Sequence, residues 1–119
     1  MPEPAATGDR GDWHLPVAAM LARLPRPPSR PSGTAFRHGT LEVKLYAPRG
    51  ADDQRPHDRD EVYFVWRGSG HFRRGLERVA FGPGDMIFVA ANESHRFEDF
   101  TDDFVTWVVF YGPVGGESA

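Results

Sequence analysis

Between Gly33 and Tyr111 the chain is cut into short runs of branched and aromatic residues, each closed by glycine, proline, asparagine or aspartate. Such residues fit a pleated, half-buried surface, and runs this brief are too short for ordinary helices. Strands are expected at 34–37, 41–46, 61–67, 70–73, 77–80, 85–89, 95–99 and 104–111. The turns between them have physical causes. Gly68-Ser69-Gly70 and Gly82-Pro83-Gly84 supply permissive backbone and a fixed φ, and Arg74-Gly75 can close a hairpin. Many short strands at this spacing predict an all-β sandwich or barrel. The last strand is apolar on both faces, with Val105, Trp107 and Val109 on one and Phe104, Val108 and Phe110 on the other. It therefore needs cover from the barrel interior on one side and from a helix or a partner subunit on the other.

Upstream, residues 1–12 are small and polar and are expected to form a mobile tail. Residues 13–24 change character: Pro16 suits a first helical turn, and Val17, Met20, Leu21 and Leu24 repeat at helical spacing. Pro25, Pro27, Pro28 and Pro31 end that helix and make a connector, because they lack amide donors. The expected organisation is a tail, short helix and connector over 1–32, a β body over 33–113 and a disordered tail over 114–119. A chain of 119 residues suits one domain.

Charge and composition exclude several functions. The formal net charge is -3 with both signs interspersed, which gives no footprint for nucleic acid or an anionic membrane. With no cysteine, disulfides, zinc–thiolate sites and thiol catalysis are all removed, and His, Asp and Glu are the metal ligands available. There is no apolar run of signal-peptide or membrane-spanning type, so a cytoplasmic protein is expected. No P-loop or nucleophile-elbow pattern occurs. Lys44 is the only lysine. Genome composition accounts for that; a functional Lys44 would point from strand 41–46 into a pocket.

The run from Pro56 to Val65 carries a histidine and a carboxylate four residues apart, His57 and Glu61, and His95 stands at the start of a later strand. Two imidazoles and a carboxylate are the ligand set of an open metal site. Four extended residues span about 13 Å, so His57 and Glu61 can meet only if the chain bends, and Asp58-Arg59-Asp60 offers the bend. Past it, alternation puts Glu61, Tyr63 and Val65 on one face.

Glu61 followed by six residues and Gly68 resembles the second half of the first cupin motif, H-x-H-x(3,4)-E-x(6)-G. Gly84, five residues, then Ala90-x-Asn92-x-x-His95 resembles the second, G-x(5)-P-x-G-x-x-H-x(3)-N. The resemblance spans about residues 42–111 and implies a small antiparallel jelly-roll barrel with metal and substrate sites inside it. It puts His57, Glu61 and His95 at ligand positions. It also puts Arg55 where the first histidine stands, Ala90 and Asn92 at the motif-two proline and glycine, and Asp99 at the final asparagine. Asn92 tolerates left-handed backbone as glycine does. A guanidinium has no lone pair to give, so Arg55 cannot ligate.

Two readings follow. In one, His57, Glu61 and His95 bind iron, manganese, nickel or zinc in a dioxygenase-like or isomerase-like enzyme, and Arg55 grips a small anionic substrate. In the other, no metal binds and the barrel is a binding or sensing cup, with Arg55 paired to Glu61 or serving as counter-ion to a bound organic anion. Gln54, Tyr46, Tyr63, Phe97 and Trp107 are further candidates for contact with the small molecule. A homodimer is expected under either reading, since small stand-alone cupins commonly pair through sheet edges and terminal segments.

Overall fold

A computed structural model describes residues 11–25 and 31–118. The expected tail over 1–10 and the connector residues 26–30 lie outside the described residues. Among the described residues one helix, α1 (Val17–Arg23), precedes eight strands: β1 (Ser32–His38), β2 (Leu41–Tyr46), β3 (Asp60–Arg67), β4 (Gly70–Arg74), β5 (Glu77–Phe81), β6 (Met86–Val89), β7 (His95–Glu98) and β8 (Val105–Tyr111). The helix is shorter than its apolar periodicity suggested. Pro16 caps it from extended backbone with its carbonyl accepting from Ala19 and Met20, and Leu24 is forced extended ahead of Pro25. Among the described residues no helix is long and apolar enough to cross a membrane.

The strands form two antiparallel sheets, ordered β1-β2-β8-β3-β6 and β5-β4-β7. Their facing sides enclose Tyr46, Tyr63, Val65, Phe72, Phe81, Val89, Phe97, Phe104, Val108 and Phe110. Phe97 touches Tyr63, Phe72, Phe81 and Phe104 with ring centroids 4.7–5.4 Å apart, in the tilted and edge-on arrangements that aromatic quadrupoles favour. A second cluster lies on the outside of the larger sheet. There α1 lays Met20 over Ala35, Leu45, Ala47 and Val105, with Trp107 packed against them. The two-faced apolar character of β8 is satisfied by this helix on one side and by the barrel interior on the other.

Gly68 has φ +92°, and a Cβ there would meet the Phe104 Cα at 2.5 Å, which explains a glycine between β3 and β4. The β6–β7 turn carries Asn92 at φ 65° and brings His95 to the barrel wall. Asp99, at the family's asparagine position, likewise takes positive φ, 50°. The two residues do what short polar side chains do in left-handed backbone.

Candidate metal centre

The chain bends at Asp58 and Arg59 before β3 begins, as the spacing required. Several contacts hold the bend. The Asp60 carboxylate accepts from Ala91 N (2.9 Å) and Glu117 N (2.7 Å), Gly115 N donates to Asp58 O (2.7 Å), and Asn92 N donates to His57 O (2.6 Å). Asp60 is thus a buried clamp rather than a solvated turn residue, and residues 115–117, expected to trail away, are tied back to the bend. Arg59 adds a third tie, donating to Glu42 and lying 5.1 Å from the Phe110 ring centroid. Burial opposes the charge on Glu42, but bonds from Arg59, Thr34 and Arg37 outweigh it and hold its carboxyl at about 2.

This bend turns His57 back over the first inward residue of β3. One ligating atom from each of His57, Glu61 and His95 lies within 4.8 Å of the others. Glu61 is 1% exposed, and its Oε1 is 3.0 Å from His95 Nε2. The contact is close but misdirected: both Glu61 oxygens and His95 Nε2 are buried with no hydrogen bond. His95 Nδ1 sits 2.8 Å from the Glu93 carbonyl, which requires the proton on Nδ1 and leaves the Nε2 lone pair facing Glu61. A carboxylate and an imidazole lone pair repel at this range unless a cation or a proton lies between them. Burial disfavours charge on His95, yet the adjacent Glu61 carboxylate and the Glu93 carbonyl prevail and raise its pKa above the ordinary value, so that without metal a proton can stand between the two groups. The donor set and the orphaned atoms therefore fit a divalent metal.

Behind the histidines runs a hydrogen-bonded chain that the sequence did not disclose. Asp52 is 4% exposed and accepts from Tyr46 Oη (2.6 Å), Gln54 N (3.2 Å), Gln54 Nε2 (2.8 Å) and Phe97 N (2.9 Å). The amide oxygen of Gln54 then accepts from Tyr63 Oη (3.2 Å) and lies 3.3 Å from His57 Nε2. Burial and the nearby Glu61 charge push the Tyr63 phenol well above its usual value, so it acts as a neutral donor.

The structure sorts the remaining candidates. A cavity of about 480 Å³ is lined by Lys44, Tyr46, Gln54, Arg55 and His57, with Val108 and Phe110 as its apolar wall. Lys44 joins it because register places Lys44, Val108 and Tyr63 side by side on the inner face of β2, β8 and β3. Tyr63 and Phe97 are buried in the core behind the site. Trp107 is on the opposite face of β8, against α1, because its place in the alternation points outward. Arg55 is exposed and makes no ion pair with Glu61.

A family described as Cupin domain matches residues 42–111. The chain belongs to the cupin family. This cupin is 35% identical over 80 residues to an uncharacterised protein of Streptomyces coelicolor, covering 66% of this chain and 76% of that one. It is 36% identical over 77 residues to the acireductone dioxygenase of Acidiphilium cryptum, covering 60% of this chain but only 39% of the enzyme. A solved protein of Neisseria meningitidis shares the fold, with a TM-score of 0.65 at 17% identity, over 83% of this cupin and 99% of that chain.

Proposed function

We propose that this cupin is a metal-dependent enzyme, dioxygenase-like or isomerase-like, acting on a small anionic molecule. His57, Glu61 and His95 would hold iron, manganese, nickel or zinc. The observation behind this is the buried Glu61 Oε1 facing a His95 lone pair at 3.0 Å, an arrangement that a shared cation relieves. Bound there, the ion would polarise an oxygen ligand or offer O₂ a coordination position. The chain's own groups do the rest. Lys44 and Arg55 bring two positive charges to the cavity and would orient an anion against His57. Tyr46 and Tyr63 are committed as donors to Asp52 and Gln54, so they set shape rather than move protons. Val108 and Phe110 keep water from the far wall. Likeness to an acireductone dioxygenase makes oxygen chemistry the first activity to assay.

Protein purified without chelator should carry, or take up, close to one ion per chain. The loaded protein should then bind small carboxylates, and Lys44→Ala and Arg55→Ala should each weaken that binding about 10-fold or more, the scale of one charge-assisted hydrogen bond. A parent that refuses Fe, Mn, Ni and Zn sinks the metal reading. Loaded protein indifferent to anions sinks the substrate class.

The same chain is proposed to work as a homodimer. On the outer face of the larger sheet, register aligns Met86, Phe64, Trp107 and Leu45 in one apolar row across four strands. The helix covers the Leu45 and Trp107 end, while Met86, Phe64, Phe88 and Trp66 are left 60%, 47%, 39% and 38% exposed beside the edge strand β6. An apolar stripe at an unpaired edge is a surface that proteins cover. Sedimentation velocity should give a dimer, converted to monomer by Phe64→Glu with Met86→Glu. A monomeric parent would count against it.

A further inference from the structure

Building on the metal reading above, we infer that Gln54, not Arg55, supplies the fourth donor of the site, through its amide oxygen. The motif register points to position 55, because it assumes a strand in which residues 55 and 57 face the same way. Residues 51–57 are not in a strand. Burial alternates from 51 to 55, with Asp52 and Gln54 inward, and slips at Pro56: Arg55 is exposed along the cavity, whereas Gln54 turns in and is 8% exposed. Position 54 thereby takes the inward place that the first histidine holds in the motif.

Three observations converge on the Gln54 oxygen. Its amide is oriented, because Nε2 donates to the buried Asp52 at 2.8 Å and so aims Oε1 at the site. Tyr63 Oη takes one of that oxygen's two lone pairs at 3.2 Å, and the other faces His57 Nε2, whose proton a bound ion would replace. The oxygen also lies 3.3 Å from His57 Nε2, much like the 3.0 Å between Glu61 Oε1 and His95 Nε2 on the other side. Donors sharing one ion at bond lengths of about 2.1 Å, set near right angles, stand about 3 Å apart. The two contacts have the spacing that neighbouring donors to one shared ion would have. A neutral amide oxygen gives a set of two nitrogens and two oxygens with a single negative charge, harder than a three-histidine set and better suited to Mn²⁺ or Fe²⁺ than to copper or zinc.

Cu²⁺ serves as the probe, because its electron paramagnetic resonance spectrum reports the number of bound nitrogens. The parent should show two imidazole nitrogens, Gln54→His three, and Arg55→His still two. A third nitrogen from Arg55→His, or an unchanged count in Gln54→His, overturns the inference while leaving the metal reading intact. A parent that binds neither Cu²⁺ nor Mn²⁺ overturns both. Should Gln54→His not fold, Gln54→Ala titrated with Mn²⁺ decides: affinity about 10-fold to 100-fold weaker is expected, and parental affinity overturns the assignment.

Discussion

Replacing His95 with alanine is expected to empty the site and to weaken the fold together. Taking apparent metal-binding energies of about 10–16 kcal/mol shared among four ligands, one ligand contributes roughly 3 kcal/mol, so affinity should fall about 100-fold to 1,000-fold. The stability loss has a separate origin. In the chelated parent the raised pKa of His95 lets its imidazole carry a proton toward the buried Glu61, and without the imidazole that carboxylate faces no cation. Uncompensated buried charge costs about 3–5 kcal/mol, or the group takes up a proton instead. His57→Ala separates the two effects. His57 is only partly buried, and its partner Gln54 is neutral, so that variant should lose metal to a similar extent with a loss of stability nearer 1 kcal/mol. Metal analysis beside thermal unfolding of chelated protein measures both. Parental metal content in His57→Ala would remove that residue from the site.

The contrast between these histidines bears on what the sequence could disclose. Strand positions were readable because β-branched and aromatic runs fall between turn residues with specific backbone demands, and the last strand's two apolar faces called for a barrel interior on one side and a helix or partner subunit on the other. The convergence of His57, Glu61 and His95 was readable for a related reason: an extended chain could not bring the first two together, and Asp58-Arg59-Asp60 was the place to bend. Alternation served well inside β3, where Glu61, Tyr63 and Val65 all face inward. It could not say which of Gln54 and Arg55 turns inward where the chain stops being a strand, and the structure buries Gln54. It also could not say which face of β8 looks into the barrel, so Trp107 was grouped with the site when it belongs under α1. Lys44 lines the cavity through its register with β8, a pairing between segments more than sixty residues apart that no local pattern encodes.

Asp52 left no mark at all in the sequence, and it is the residue outside the ligand set whose loss should be felt most. An aspartate beside glycine, alanine and a second aspartate reads as a solvated loop, yet this one is buried and takes four hydrogen bonds from three separate parts of the chain. Asp52→Ala would strand the Gln54 side chain and the Phe97 amide, both buried donors, and take from Tyr46 Oη the acceptor it holds at 2.6 Å. At about 1–3 kcal/mol for an unsatisfied group, with some relaxation and water entry, the total comes to roughly 3–5 kcal/mol. For a domain of this size that is a fall in Tm of about 10–20 °C. Asp52→Asn keeps the shape but turns an acceptor into a donor facing donors, so it should recover less than half of the loss. The consequence reaches the site: once Gln54 Nε2 has no anchor, its oxygen is no longer aimed at His57 and Tyr63. Metal affinity in Asp52→Ala should therefore drop about 10-fold even in the fraction that remains folded, as measured well below Tm. Unfolding within 1 kcal/mol of the parent would mean that the loop holds its shape without the carboxylate, whereas a large loss of stability with undiminished metal affinity would confine Asp52 to the fold.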